Sequence, residues 1–217
     1  MARVLKVLLL ALEKLRDEKN LPRIEEDVDR RLSLKAREVY RSLKPKDRPQ
    51  GFNLTSKAEP FPAEAADLHE DWVRKRPDFK WRMQDDSALS PEALTKDFDI
   101  ESKRLGKRTS PSWVLTRNYV TEGIIRFLSE SHRYGNNASD GAMIGYVQDW
   151  DVNEILADVN HYIRAQKLYA IPPMRFNRDR KAVIQTRQSL KRSEFAPSSF
   201  CLHHLWVDLV HNTAKPG

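Results

Sequence analysis

The chain has 217 residues, which is the size of one domain and is long enough to bury a full core. Its 38 lysines and arginines outnumber its 31 aspartates and glutamates, and the net charge of +7 suits a polyanionic partner without requiring one. The single cysteine, Cys201, excludes an internal disulfide and a cysteine-rich zinc site. A reducing, cytoplasmic location is therefore expected.

The first predicted element is a helix over residues 3–19, which ends at Asn20-Leu21-Pro22. Residues 4–12 are apolar enough to suggest a signal peptide, but Lys6 interrupts them and no small-x-small cleavage site follows. The run is also too short to span a bilayer, which needs about 20 apolar residues. We interpret residues 1–22 as a buried amphipathic helix that is also a candidate assembly surface.

A second helix is predicted from Ile24 to Leu43, because apolar residues recur there at helical spacing. Glu25 lies three residues before Val28 and shares its inward face more than Glu26 does. An inward acid is costly unless it is paired or binds a metal, so Glu25 is the first candidate site residue and Glu26 the second. For either residue, the alternative is a first-turn acid that the helix dipole favours.

Residues 44–71 are predicted to be a long irregular segment, because prolines and a glycine interrupt any regular pattern. Long loops in compact domains are usually functional or mobile. The basic residues of this segment are candidate contacts to a phosphate backbone, and a solvated surface loop is the alternative.

Two strands are predicted next, over residues 79–83 and 98–105. Asp78 directly precedes the first strand. In the second, Glu101 and Lys103 must point to the same face, because side chains alternate along a strand. Two acids and a lysine can thus converge on one point. Carboxylates are preferred ligands of Mg²⁺, so Asp78 and Glu101 are candidate metal ligands, and Lys103 is a candidate to hold the attacking water in phosphodiester hydrolysis.

Pro77-Asp78 followed by Glu101-Ser102-Lys103 resembles the motif of the PD-(D/E)xK nuclease superfamily, which includes restriction endonucleases and prokaryotic defence nucleases. The resemblance covers residues 24–148 and implies an α/β fold, with a mixed central sheet flanked by helices in a restriction-endonuclease-like core. It implies Mg²⁺-dependent cleavage of DNA, less often RNA, with Mn²⁺ as a substitute ion. It also implies a further acid from the preceding helix, here Glu25, and a restriction or antiphage-defence role with partner proteins.

The same motif residues also have a structural interpretation. Asp78 can be a turn residue, and Glu101 with Lys103 can form a solvated strand edge that discourages pairing with other chains. Phe98 and Ile100 argue against this, because they make the strand half buried. Two functional alternatives remain: a non-catalytic nuclease-fold scaffold or nucleic-acid-binding subunit, and a nuclease directed at RNA through the same site. The sequence does not distinguish endonuclease from exonuclease, or one oligomeric state from another.

Cations follow the second motif strand. Arg104, Lys107 and Arg108 lie just beyond the candidate site, where a phosphate backbone needs neutralising, although the run can equally be an exposed loop. A helix is predicted over residues 113–131, and Arg126 on it is a further candidate phosphate contact.

The last third of the chain is expected to complete the sheet of a single domain, over residues 149–217. An apolar strand just before it, residues 142–147, fits a central position covered on both faces. A helix over residues 151–165 follows, and a basic tract then leads to a final strand over residues 200–209. Residues 183–186 are a further candidate strand.

His203 and His204 lie within that final strand. Because neighbouring residues of a strand face opposite sides, the pair cannot bind one metal ion, and we interpret both as core or sheet-surface histidines. The sequence contains no glycine-rich phosphate loop, which argues against ATP-dependent chemistry within this chain.

Overall fold

The computed structural model describes residues 1–49, 54–56, 76–84, 95–174 and 183–210. Helices flank a six-stranded mixed sheet, so the predicted α/β class is confirmed. The elements are the helices α1 (Ala2–Arg16), α2 (Glu25–Ser42), α3 (Leu115–Thr121) and α4 (Val152–Ala165), and the strands β1 (Leu54–Ser56), β2 (Phe79–Gln84), β3 (Thr95–Leu105), β4 (Asp140–Val147), β5 (Val183–Lys191) and β6 (Ser199–Asp208).

The strands of the sheet are arranged in the order β1-β2-β3-β4-β6-β5. β4 is parallel to both of its neighbours, β3 and β6, whereas the three outer pairs are antiparallel. Every residue of β4 from Gly141 to Val147 is buried. The near-continuous apolar run thus occupies the central, doubly covered position that the sequence predicts.

One face of the sheet is covered by α1 and α2. Val7, Leu12 and Leu15 of α1 are fully buried and belong to the same core as Ile100 and Leu205 of the sheet. The apolar stripe of α1 is therefore used inside this core, and a further role in assembly stays a prediction. Among the residues that the structure describes, no helix is long and apolar enough to cross a membrane.

The other face packs against α3 and α4, with a separate core around Tyr119, Met143 and Trp206. The predicted helix over residues 113–131 is wrong in extent, because α3 ends at Thr121 and only a 3-10 turn follows. Gly123 lies at the break. A Cβ atom at this position would lie within 2.4 Å of the Tyr119 carbonyl oxygen and of Met143 Cε, so the close packing here requires glycine.

Three further differences concern strands. β3 begins at Thr95, three residues before the predicted start, and β5 continues to Lys191. β1 lies within the segment predicted to be irregular and pairs with β2. Most of that segment, with its candidate phosphate-binding loop, and the start of the basic tract at residues 175–182 lie outside the described residues.

Candidate active site

The free edge of β3 positions the candidate site. β2 pairs with β3 only as far as Ile100, so among the described strands none pairs with this side of β3 beyond it. Two carboxylates accept the exposed backbone donors instead. Asp78 Oδ2 accepts the Ser102 N–H at 2.9 Å, and Glu25 Oε2 accepts the Arg104 N–H at 3.0 Å. The first turn of α2 and the residue before β2 therefore meet at one point on β3.

The Lys103 ammonium lies among the predicted acids. Its Nζ is 2.8 Å from Glu101 Oε1, 3.2 Å from Glu25 Oε1 and 3.4 Å from Asp78 Oδ2. It also donates to the Ser102 carbonyl oxygen at 2.6 Å. The three acids that the sequence predicts as catalytic thus surround the nitrogen atom of the fourth predicted residue, Lys103.

A further acid, Asp29, lies one helical turn after Glu25. The Ser102 hydroxyl is 2.8 Å from Asp29 Oδ1 and 3.0 Å from Oδ2, and the Tyr146 hydroxyl donates to Oδ1 at 2.7 Å. Ser102 Oγ is also 3.1 Å from Asp78 Oδ2, so the serine connects the two acids. The sequence reasoning does not single out Asp29, although its spacing of four residues from Glu25 on one helix face is the signal that would find it.

Glu101 is the most deeply buried member of the group, with no exposed surface. Lys103 and Arg126 both donate to its Oε1. Its other oxygen, Oε2, is buried and has no hydrogen-bond partner among the described residues. A buried carboxylate oxygen without a partner is rare and costly, and it calls for an explanation such as an ion.

The acids around Lys103 outnumber the cations. Glu25, Asp29, Asp78 and Glu101 lie near only two cations, Lys103 and Arg126. Burial first, and the charge of Asp78 second, raise the pKa of Glu101 to about 8, and the same two causes raise the pKa of Asp29 to about 8. Burial by itself would lower the pKa of Lys103, but the charges of Glu101, Asp78 and Glu25 raise it above its usual range. Burial therefore favours the protonated forms of Glu101 and Asp29, and their charged forms require a nearby cation.

These residues border a cleft of about 1080 Å³. Asp78, Lys103 and Arg126 line it together with Glu25. Glu101 lies beneath the surface and is connected to the cleft through the two cations that contact it. The second-choice acid of the sequence prediction, Glu26, also lines the cleft, but as an exposed side chain.

The predicted phosphate contacts divide into two groups. Arg104 and Arg126 line the cleft, whereas Lys107 and Arg108 are exposed residues of the turn after β3 that do not line it. Three side chains that the sequence does not predict as contacts also line the cleft: Arg30, Arg117 and Trp113, whose surface is 53% exposed. No motif marks them, because their placement depends on how α2 and the start of α3 pack on the sheet.

A second charged group lies on the same face of β3, at its other end. The Asp97 carboxylate accepts from Lys80 Nζ at 3.0 Å and from Arg82 Nε at 2.9 Å. Asp99 accepts the Gly135 N–H at 2.7 Å, and its other oxygen lies 3.6 Å from Lys80 Nζ. We call Lys80, Arg82, Asp97 and Asp99 the Asp97 cluster. The Glu101 cluster consists of Glu25, Asp29, Asp78, Glu101, Lys103 and Arg126.

Comparisons with known proteins do not assign the chain to a family. No protein-family model, no curated protein and no solved structure matches it. The chemistry of the site therefore follows from the residues of the Glu101 cluster and from the motif that they form.

Proposed function

We propose that the protein is a metal-dependent nuclease that hydrolyses phosphodiester bonds, with DNA favoured over RNA as the substrate. The observation that carries this proposal is the buried Glu101 Oε2, which has no hydrogen-bond partner among the described residues and belongs to a cluster with excess acid. Mg²⁺ is typically held by one or two carboxylates together with substrate phosphate oxygens. A divalent ion would satisfy this oxygen and would favour the charged form of Glu101, whose pKa is otherwise raised to about 8.

The donor set fits such an ion. Asp78 and Glu101 would hold Mg²⁺, and Glu25 lies close enough to the same ammonium to complete the set. Mn²⁺ would substitute, because it also accepts carboxylate oxygens. When bound, the ion would polarise a phosphate oxygen and lower the pKa of the attacking water.

Lys103 would act on the nucleophile and on the charge of the transition state. Its pKa lies above its usual range, so the side chain stays protonated and acts as a hydrogen-bond donor rather than as a base. It lines the cleft, where an ammonium can orient a water molecule and offset negative charge at the phosphorus atom. Its contacts with Glu101 and Asp78 hold its nitrogen next to both proposed metal ligands.

Arg126 would both orient Glu101 and contact the substrate. One of its terminal nitrogens donates to Glu101 Oε1, and the other lies 3.5 Å from the exposed Glu122 carboxylate. A guanidinium offers several donors in one plane, which suits phosphate oxygens. Arg30, Arg104 and Arg117 add positive charge to the walls of the same cleft.

The resemblance to PD-(D/E)xK nucleases supports a restriction-endonuclease-like core. In this chain the motif aspartate precedes β2, the Glu-x-Lys string lies on β3, and both belong to a mixed sheet flanked by helices. By that resemblance we place the protein in a restriction or antiphage-defence system in the cytoplasm, where partner proteins or further copies of the chain direct it to its substrate.

Cleavage of a supercoiled plasmid tests the proposal. Purified protein with Mg²⁺ or Mn²⁺ should nick or linearise the plasmid, and EDTA, Asp78→Asn and Lys103→Met should each abolish this. A transcript of the same sequence, assayed in parallel, distinguishes DNA from RNA as the substrate. Cleavage that survives in both variants would contradict the assignment of the site.

A second candidate function is a non-catalytic scaffold or nucleic-acid-binding subunit. It is favoured by one observation: Asp78 and Glu25 accept backbone N–H groups of β3, a structural role that requires no metal. This alternative predicts nucleic-acid binding without cleavage, and no loss of binding in Lys103→Met. Fluorescence anisotropy with a labelled duplex, measured with and without Mg²⁺, distinguishes it from the nuclease.

A further inference from the structure

A cysteine, a histidine and an aspartate meet at the first residues of β4 and β6. Cys201 and His203 are two residues apart on β6, so their side chains share one face of the sheet. Asp140, the first residue of β4, is directly paired with Cys201. One ligand atom from each of the three lies within 4.8 Å of the others.

Two of the three distances within this group are close to the edges of a metal coordination tetrahedron. His203 Nε2 is 3.1 Å from Asp140 Oδ1 and 3.8 Å from Cys201 Sγ. With typical zinc bond lengths, the edges of a tetrahedral site are about 3.3 Å between nitrogen and oxygen and about 3.6 Å between nitrogen and sulfur. Small side-chain movements would therefore place all three atoms at bonding distance from one ion.

Neighbouring groups contact two of the three side chains, as supporting groups do in metal sites. Ser139 Oγ donates to Asp140 Oδ2 at 2.6 Å, which leaves Oδ1 directed at the histidine. The other ring nitrogen of His203 lies 3.5 Å from the side-chain amide of Gln185 on β5. The carbonyl oxygen of that amide, after a flip, would accept the ring proton and leave Nε2 free to bind a metal.

We propose that Asp140, Cys201 and His203 form a binding site for a transition-metal ion of the zinc type, with a water molecule as the fourth ligand. The mixed sulfur, nitrogen and oxygen set suits Zn²⁺ or Co²⁺ better than Mg²⁺. A thiolate and a carboxylate together balance a divalent charge, and the nearest cation of β5, Arg187, is paired with His203 but exposed. Cys201 and Asp140 are partly exposed, so an ion can enter from solvent.

This site is independent of the Glu101 cluster. Asp140 begins β4, whereas Lys103 is paired with Gly145 near the end of that strand. The sequence pattern does not predict the site. The adjacent pair His203-His204 is its most conspicuous feature, but the two side chains face opposite sides of the sheet. The informative spacing is Cys201 with His203, and the third ligand comes from a different strand.

Titration of the purified protein with Co²⁺ tests the proposal. Cys201 is the only cysteine in the chain, so a sulfur-to-cobalt charge-transfer band can arise only from this residue. We expect the band to saturate at one equivalent, to disappear in Cys201→Ser and to be displaced by Zn²⁺. His203→Gln and Asp140→Asn should each weaken the affinity more than about tenfold.

Two control variants separate this site from others. His161→Gln changes an exposed histidine of α4, and Glu101→Gln changes the other candidate metal site; both should keep the band and the affinity. Far-UV circular dichroism establishes that each variant is folded. A wild-type protein without the band at stoichiometric Co²⁺, or a band unchanged in both His203→Gln and Asp140→Asn, would overturn the proposal. Neither result depends on nuclease activity.

Discussion

Two charged clusters lie on the same face of one strand and differ in charge balance. In the Asp97 cluster, two acids face Lys80 and Arg82. Despite its burial, the contacts with these two cations lower the pKa of Asp97, whereas burial raises the pKa of Asp99. In the Glu101 cluster, four acids share one ammonium and one guanidinium, and the pKa of Glu101 is raised to about 8. Two charged clusters on one buried strand thus differ in their proportion of acids to cations.

This difference is the reason why we propose a cation at the Glu101 cluster and not at the Asp97 cluster. In the Asp97 cluster, even the Asp99 oxygen without a hydrogen bond has a countercharge, Lys80 Nζ at 3.6 Å. In the Glu101 cluster, both available cations contact the same oxygen of Glu101, and Oε2 has no hydrogen-bond partner among the described residues. A balanced ion-pair network stabilises a fold, whereas an unbalanced one next to a cleft is suited to bind a cation.

The largest expected effect is on catalysis. Glu101→Gln should lower the rate of Mg²⁺-dependent plasmid cleavage by about 1000-fold, because it removes a metal ligand and weakens the positioning of Lys103. The matched control is Asp97→Asn, four residues earlier on the same face of β3, which should keep the rate within a few-fold. Single-turnover cleavage rates measure both. Equal losses in the two variants would remove the functional distinction between the clusters.

A second expected effect is on stability. Asp97→Asn should lower the free energy of unfolding by about 2 kcal/mol, because it breaks ion pairs that are only partly exposed. In EDTA at neutral pH, Glu101→Gln should change it by less than about 1 kcal/mol, because a carboxyl group with a pKa of about 8 is already mostly protonated. Urea unfolding of both variants makes the comparison. A larger loss of unfolding free energy in Glu101→Gln than in Asp97→Asn would contradict this prediction.

The Asp97 contribution should also depend on pH. Its pKa is lower in the folded protein than in the unfolded chain, so its stabilisation is present above the ordinary aspartate pKa of about 3.9. That stabilisation is lost as the pH falls through the folded-state pKa. The stability difference between the wild type and Asp97→Asn should therefore narrow below about pH 4. Unfolding curves at several acidic pH values measure it, and a difference that widens would contradict this sign.

The addition or removal of Mg²⁺ should also change the stability of the protein. Mg²⁺ at about 100 times its dissociation constant should stabilise the protein by about 2.7 kcal/mol, which corresponds to a rise in Tm of about 5 to 10 °C. Asp97→Asn should show the same rise from a lower starting Tm, and Glu101→Gln should not. Thermal unfolding with Mg²⁺ and with EDTA measures it. A rise that persists in Glu101→Gln would place the ion elsewhere.

The smallest expected effect concerns Asp29, a positioning residue. Asp29→Asn should lower cleavage about tenfold, because Ser102 connects Asp29 to Asp78. In EDTA the Tm should stay the same or rise, since burial and neighbouring acids already disfavour the charged form of Asp29. A purely structural residue would show the reverse: lower Tm and unchanged cleavage per folded molecule.

Periodicity predicts most of the fold. The helical stripes of α1 and α2 and the apolar run of β4 are reliable because each pattern follows from burial of one face or of both. The break at Gly123 is not predictable locally, because its cause is contact with Met143 on a strand that comes later in the chain. β1 is too short for its pattern to stand out, and it is recognised only through its pairing with β2.

The candidate site is partly predictable for a related reason. Alternation along β3 places Glu101 and Lys103 on one face, and helical spacing selects Glu25 over Glu26. Arg126 joins the site through tertiary packing, so its contact with Glu101 leaves no local signal. Asp29 has one signal, its spacing of four residues from Glu25, but its contact with Ser102 also depends on packing. The group of Asp140, Cys201 and His203 is not predicted for the same reason, because Asp140 comes from another strand.

The nuclease proposal requires that Asp78 and Glu101 share a divalent ion. A crystal structure of the protein grown with Mn²⁺, with anomalous data at the manganese edge, tests it most directly. We expect one Mn²⁺ bound by an Asp78 oxygen and by Glu101 Oε2 at about 2.1 to 2.3 Å, with the Lys103 ammonium moved away from their midpoint. A map without manganese between these two carboxylates, in which Lys103 Nζ still contacts both, would contradict it.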